Sequence, residues 1–383
     1  MLKASRLGVV AFATIALSFS AIAKDIKFGV IAATTGPGAA WGVAVAEGAR
    51  LAIEEVNAAG GLDIKGTKTK VELIVYDDQY KASEHVSAYN RLVNEGGIKY
   101  MLTMGSAGVL AAKNNIEADN VLVLTTAYSQ SVIGADTRHI IRALSTPADY
   151  VPGVVSWMRK NVPGKRIVVV NPNDETGWDL ANVSAAALAK EGYDILAREL
   201  YERSQKDFLP LLTRVIALKP DIIELGSTSP STAGLIVRQA RELGYKNTFS
   251  ALGGPGPLEI VAAAGKEAAE GMVNVLYADP SNAAYRALSE RFRKTHAQAP
   301  NEFIVPCYDA TRVLLRAIEI AGDPPEVDAV IQAFSKALPM KSLQGQELVF
   351  GGRNTIGIDA QIMTVNYIGT IRRGEPVVVG LSQ

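Results

Sequence analysis

The sequence predicts an α/β protein built as two doubly wound, Rossmann-like lobes. Three observations carry this. Short apolar runs alternate with helix-like stretches through both halves of the chain, which is the pattern of parallel sheets covered by helices on both faces. The strand-to-helix turns are rich in Gly, Ser and Thr. The chain has 383 residues, more than one hydrophobic core usually supports.

In the first half, "IKFGVIAA" reads as a buried strand, and Val43 to Ala58 as a helix stopped by Gly60-Gly61. "KVELIVYDD" is a strand, Ala82 to Asn94 a helix, "IKYMLTM" a strand, Val109 to Ala118 a helix and "VLVL" a strand. A further strand lies at Ile140–Arg142, with a helix from Asp149 to Lys160. The second half repeats the alternation. "KRIVVVN", "YDILAREL", "DIIEL", "NTFSAL" and "GMVNVLY" are strands, and Leu180–Lys190, Phe208–Leu218 and Thr232–Leu243 are helices. Helices at Ala284–Thr295, Tyr308–Ala321 and Val327–Ala337 follow, then strands at "ELVF" and "AQIMTVNYI".

The amino terminus predicts export. Lys3 and Arg6 precede an uncharged run from Leu7 to Ile22, and Ala21-Ile22-Ala23 fits an A-x-A cleavage site, so residues 1–23 read as a signal peptide. Cleavage removes two basic residues and no acid, leaving 37 Lys and Arg against 39 Asp and Glu, a net charge of −2. Such a balance gives no reason to expect nucleic acid or an anionic membrane as partner. Cys307 is the only cysteine, so no internal disulfide can form; it reads as a buried small residue. Lys24, not cysteine, stands at the cleavage point, so the expected location is free in a periplasm rather than lipid-anchored.

In doubly wound sheets, ligands sit beyond the carboxyl ends of the strands, so function should lie in the turns. These are "TTGPGAAWG", "TMGSAG" and "TTAYSQS" in the first half, and "NPNDETGWD", "GSTSPST" and "LGGPGP" in the second. None contains Lys, Arg or His. An anion held there would be a small one, such as a carboxylate, bound by amides and hydroxyls. Trp41, Tyr128 and Trp178 are aromatic candidates for stacking on a ligand; Thr176, Ser227, Gly253 and Gly254 occupy the second-half turns. Asp174 and Glu175, adjacent acids in the fourth of these turns, would pair with a ligand amine or cap a helix start.

Catalytic patterns are missing. His85, His139 and His296 are scattered, Met104 replaces the first glycine of a G-x-S-x-G around Ser106, and no turn holds a lysine. No enzyme activity, metal or cofactor is expected. Gly36, Gly38 and Gly42 approach G-x-G-x-x-G with the third glycine one place late, and Asp77-Asp78 lies beyond the usual spacing for a ribose-binding acid.

Taken together, "TGPGAAWG", Gly48-Ala49, "NAAGGL", Asp77-Asp78, "KDFLPLLTRVIALKPDII", "RQARELG", "AAEGM" and "CYDATRVLLRAIEIAG" resemble the periplasmic leucine/isoleucine/valine-binding proteins across the mature chain. The resemblance implies a type I periplasmic binding fold with a three-segment hinge. One lobe would combine 24–146 with 277–349, the other 147–276 with 350–383. It implies a monomer that closes on a small ligand and docks on the permease of an ABC importer. It also implies that the turn Gly105-Ser106-Ala107, with Ala127 and Ser129, holds the ligand carboxylate, and that Trp41 and Tyr128 pack on its body. The amino-acid binders of the family carry a glutamate where this chain has Gly253-Gly254, and a tyrosine where it has Thr176. A small amine-free or aromatic acid is therefore the expected ligand. The alternatives are a branched-chain or other amino acid, or a sensing role for the same fold.

Overall fold

The computed structural model describes residues 25–322 and 325–382; the expected signal peptide lies outside the described residues. The chain opens with β1 (Ile26–Ala32), α1 (Ala39–Ala58), the hairpin β2 (Leu62–Ile64) and β3 (Thr67–Thr69), and β4 (Val71–Asp77). There follow α2 (Ala82–Asn90), extended by a π turn to Glu95, then β5 (Tyr100–Thr103), α3 (Ser106–Ala118), β6 (Leu122–Thr125) and β7 (Ile140–Arg142). The second segment comprises α4 (Pro147–Asn161), β8 (Arg166–Pro172), α5 (Glu175–Lys190), β9 (Asp194–Tyr201), α6 (Leu209–Ala217) and β10 (Ile222–Glu224). It continues with α7 (Pro230–Glu242), β11 (Thr248–Ala251), α8 (Pro257–Ala264), α9 (Lys266–Ala269) and β12 (Val273–Leu276). The third holds α10 (Ala283–Phe292), α11 (Ile304–Ala321), α12 (Val327–Ala337), β13 (Met340–Lys341), β14 (Glu347–Gly351), α13 (Arg353–Ile356) and β15 (Gln361–Met363). The last is the pair β16 (Tyr367–Arg372) and β17 (Glu375–Leu381).

Two large sheets result, with strand orders β13-β14-β15-β7-β6-β5-β1-β4 and β17-β16-β12-β11-β10-β8-β9, beside the separate β2-β3 hairpin. Their central strands are parallel, as buried apolar runs joined by helices require. The chain crosses between the sheets after β7, after β12 and after β15.

The last crossing corrects two sequence expectations. "AQIMTVNYI" is not one strand. Gln361–Met363 pairs with β14 and β7 in the first sheet, whereas Tyr367 onward pairs with β12 in the second. The boundary expected at 349/350 therefore moves past Met363. Alternation alone could not show this, because both pieces are buried and the break is a local hydrogen-bond exchange. Ser145, in the first crossing, accepts from the Thr364 amide through its Oγ (2.9 Å) and donates its own amide to Thr364 Oγ1 (3.0 Å). That pairing takes the place of ladder bonds and ties the first and third crossings together.

Helix α11 is buried along most of its length and packs on α1. Gly48 permits the approach: a Cβ there would lie 2.7 Å from the Ile304 carbonyl and 2.9 Å from Cys307 Cβ. Cys307 is fully buried, and burial alone pushes its thiol up, which fits a packing role.

The second crossing is pinned by a buried acid. Glu302 Oε2 accepts the Tyr277 amide at 2.9 Å, and burial raises its carboxyl from 4.5 to about 8. Between those values the folded protein keeps a proton that the unfolded chain has released, so stability should fall as pH rises from about 5 to 8 and level off above. Glu224 and Asp309, each raised by burial to about 7, act in the same direction. Urea denaturation midpoints measured across this range check the slope, and Glu302→Gln should flatten part of it.

Candidate functional site

The carboxyl ends of both sheets face one another across a cavity lined by residues from both lobes. The first lobe contributes Trp41, Tyr80, Met104, Gly105, Ser106, Thr126, Ala127 and Tyr128. The second contributes Thr176, Ser227 and Gly254, and Phe303 comes from the loop before α11.

Each wall follows from local chain chemistry. After β1 the backbone makes a 3-10 turn at Gly36–Gly38, where Gly36 has φ +75°, and α1 begins at Ala39. Asp77, at the end of β4, accepts the Thr34 amide (3.0 Å) and the Thr35 hydroxyl (2.5 Å). It ties down the turn, which leaves it no part in holding a ribose. Gly42 lies against β1, and Trp41 is buried with its indole N–H donating to the Pro255 carbonyl of the other lobe at 2.9 Å.

Tyr80, absent from the sequence expectations, comes from the turn after β4. Gln79 and Tyr80 both have positive φ, and the Asp77 and Asp78 carboxylates accept their amides at 2.9 Å. Its ring lies 6.3 Å from that of Trp41 and beneath the Arg203 guanidinium, 4.7 Å from carbon to centroid. Burial pushes the Tyr80 hydroxyl above its usual value, so it is neutral. The turn after β4 was legible as a seventh strand-to-helix turn.

Ser106 begins α3, whose N-cap Gly105 has φ +85° and offers no side-chain cap. The Ser106 Oγ accepts from the Ser129 amide (3.1 Å) and from the Thr176 hydroxyl of the second lobe (2.8 Å). Tyr128 reaches the second crossing through its hydroxyl, 2.8 Å from that of Tyr277.

Of the residues expected at the site, Trp41, Ser106, Ala127, Tyr128, Thr176, Ser227 and Gly254 line the cavity. Ala107, Ser129, Trp178 and Gly253 are not among its lining residues. Ser129 lies behind the wall, its carbonyl bonded to Arg142. Gly253 faces Leu180 instead, with a Cβ there meeting Leu180 Cδ2 at 2.5 Å. Trp178 is 45% exposed and donates to Asn173 Oδ1 at 2.9 Å. Two residues along a helix rotate the side chain by about 200°, so with Thr176 turned inward Trp178 must face out.

Asp174 is also committed. Asp174 caps α5 through the Gly177 amide (2.9 Å) and pairs with Arg203, whose Nη2 lies 3.2 Å from its Oδ1. Arg203 further donates to the Ser227 carbonyl at 3.2 Å. The six turns hold no cation, yet the end of β9 brings one to the back of the cavity wall. Among the described residues, no group of His, Cys, Asp or Glu could hold a metal, and no helix is long and apolar enough to cross a membrane.

Known proteins share this fold. The chain is 30% identical over 326 residues to the Leu/Ile/Val-binding protein BraC3 of Rhizobium johnstonii, covering 83% of this chain and 85% of that protein. It superposes on the leucine binding protein LivK of Thermotoga maritima with a TM-score of 0.80 at 22% identity, covering 93% and 98% of the two chains. It also superposes on a solute-binding protein of an ABC transporter from R. palustris, solved in complex with benzoate, with a TM-score of 0.80 at 18% identity and coverage of 94% and 96%. The family model described as periplasmic binding protein matches residues 25–375, and the chain therefore belongs to that family.

Proposed function

We propose that this protein is the extracytoplasmic solute-binding component of an ABC importer and takes a small, amine-free carboxylate, with an aromatic acid favoured. The observation that carries the ligand class is the asymmetry of the cleft walls. The first-lobe wall presents the Ser106 hydroxyl and the uncapped start of α3. The second-lobe wall presents Thr176, Ser227 and Gly254, with no carboxylate among the lining residues. An ammonium held there would lack a partner, at a cost of several kcal/mol. Trp41, Tyr80, Tyr128 and Phe303 supply rings for an apolar body. A protein of the same fold holds benzoate, so the fold accommodates such an acid.

A branched-chain amino acid is the second reading, favoured by the name of the Rhizobium relative. Closure of the lobes over the ligand would present both to a membrane permease.

Thermal shifts with benzoate, hydroxybenzoates, leucine and isoleucine decide between the readings. At about 100 times its Kd, a ligand should stabilise the protein by about 2.7 kcal/mol. A shift with leucine and none with the aromatic acids would overturn the first reading. Native mass spectrometry should recover the bound acid chemically unchanged.

A further inference from the structure

Arg142 ends β7 and is fully buried, the bulkiest such side chain among the described residues. A guanidinium taken out of water costs several kcal/mol unless its donors are met. Nη2 donates to the Ser129 carbonyl at 2.8 Å and Nη1 to the Tyr128 carbonyl at 3.5 Å, while Nε has no partner. Asp149 and Asp179 act on it only through their charge. Arg142 is thus a buried cation gripping the back of one turn.

The two carbonyls belong to consecutive peptide units. In a trans peptide the N–H points opposite to the C=O, so the Ser129 and Gln130 amides face away from the guanidinium. Ser129 N–H donates to the cavity-lining Ser106 Oγ at 3.1 Å, and Gln130 N–H to Asp179 Oδ2 at 2.8 Å. Asp179 stands on α5, in the other lobe. A carboxylate from across the cleft already docks on this turn.

The geometry points to Arg142 as the positioning residue that makes the cleft prefer a carboxylate to its neutral amide: it aims two peptide dipoles forward and lends them a buried positive charge. This rests on the reading of the cleft as a carboxylate receptor. In a dry interior a fixed charge acts over longer distances than in water, so Arg142 need not touch the ligand.

The test is calorimetric titration of the full mature protein with two matched pairs, benzoate against benzamide and leucine against leucinamide. In Arg142→Gln the acid-over-amide affinity ratio should fall at least about tenfold, or 1.4 kcal/mol. Arg142→Lys should retain most of the ratio. Equal losses for acid and amide would mean structural support only and would overturn the assignment. Should Arg142→Gln fail to fold, Asp179→Asn decides. Removing the competing carboxylate should raise the ratio at least about threefold, and an unchanged ratio overturns the proposal. If leucine binds and benzoate does not, the amine-free reading fails while the leucine pair still judges Arg142. Binding of neither acid overturns both.

Discussion

Replacing Trp41 by alanine is expected to remove about 3–5 kcal/mol, divided between folding stability and ligand affinity. The residue is buried, its ring lies near Tyr80, and a Cβ on Gly254 would come within 3.0 Å of its Cζ2. It therefore fills space between the lobes as well as within one. Trp41→Phe separates the two contributions of the side chain. Phenylalanine keeps much of the ring volume and loses the indole N–H. The Pro255 carbonyl would not be orphaned, because Asn301 Nδ2 also donates to it at 3.0 Å. The hydrogen bond itself should then cost only about 0.5–1.5 kcal/mol. Urea denaturation with and without ligand measures both variants. If Trp41→Ala leaves stability and affinity unchanged, the ring is not a wall of the cleft.

Gly42→Ala should destabilise the protein by about 1–3 kcal/mol, against the usual trend. Inside a helix, glycine to alanine ordinarily gains about 1 kcal/mol. Here the new Cβ would lie 1.9 Å from the Ala33 carbonyl oxygen and 2.8 Å from its amide nitrogen, both backbone atoms that cannot swing aside. Helix α1 would have to lift from β1, and Trp41, one residue earlier, would move with it. The sign of the effect is the diagnostic, read from the denaturation midpoint. A gain in stability would show that the helix can shift without loss.

The late glycine of "TTGPGAAWG" is therefore a contact residue of α1, and the dinucleotide-like spacing was incidental. Much of the architecture was open to a reading of the alternation, because a buried parallel strand needs an unbroken apolar run and its covering helix needs a periodic one. Pieces that escaped it had no such signature. The hairpin Leu62–Thr69 is too short to show a period, and the break at Thr364–Asn366 depends on Ser145, far away in sequence. At the site, residues lying in strand-to-helix turns were accessible. Arg203 and Phe303 were not, since they arrive from the end of a strand and from the loop before α11. Trp178 was misjudged for a different reason. Its residue type suggested stacking, whereas its helical phase relative to Thr176 and Leu180 already placed it outside.

The contact of Gly48 with Ile304 bears on the order in which the protein can be made. Helix α1 leaves the ribosome well before α11, the helix that covers it, which is translated only after the whole second segment. The second sheet is likewise unfinished until β16 and β17 arrive, after the whole third segment. Neither lobe is a contiguous stretch that can complete its core early, and nearly all the chain must be present before either does. Such long-range closure makes for slow folding and leaves apolar helix faces uncovered during synthesis.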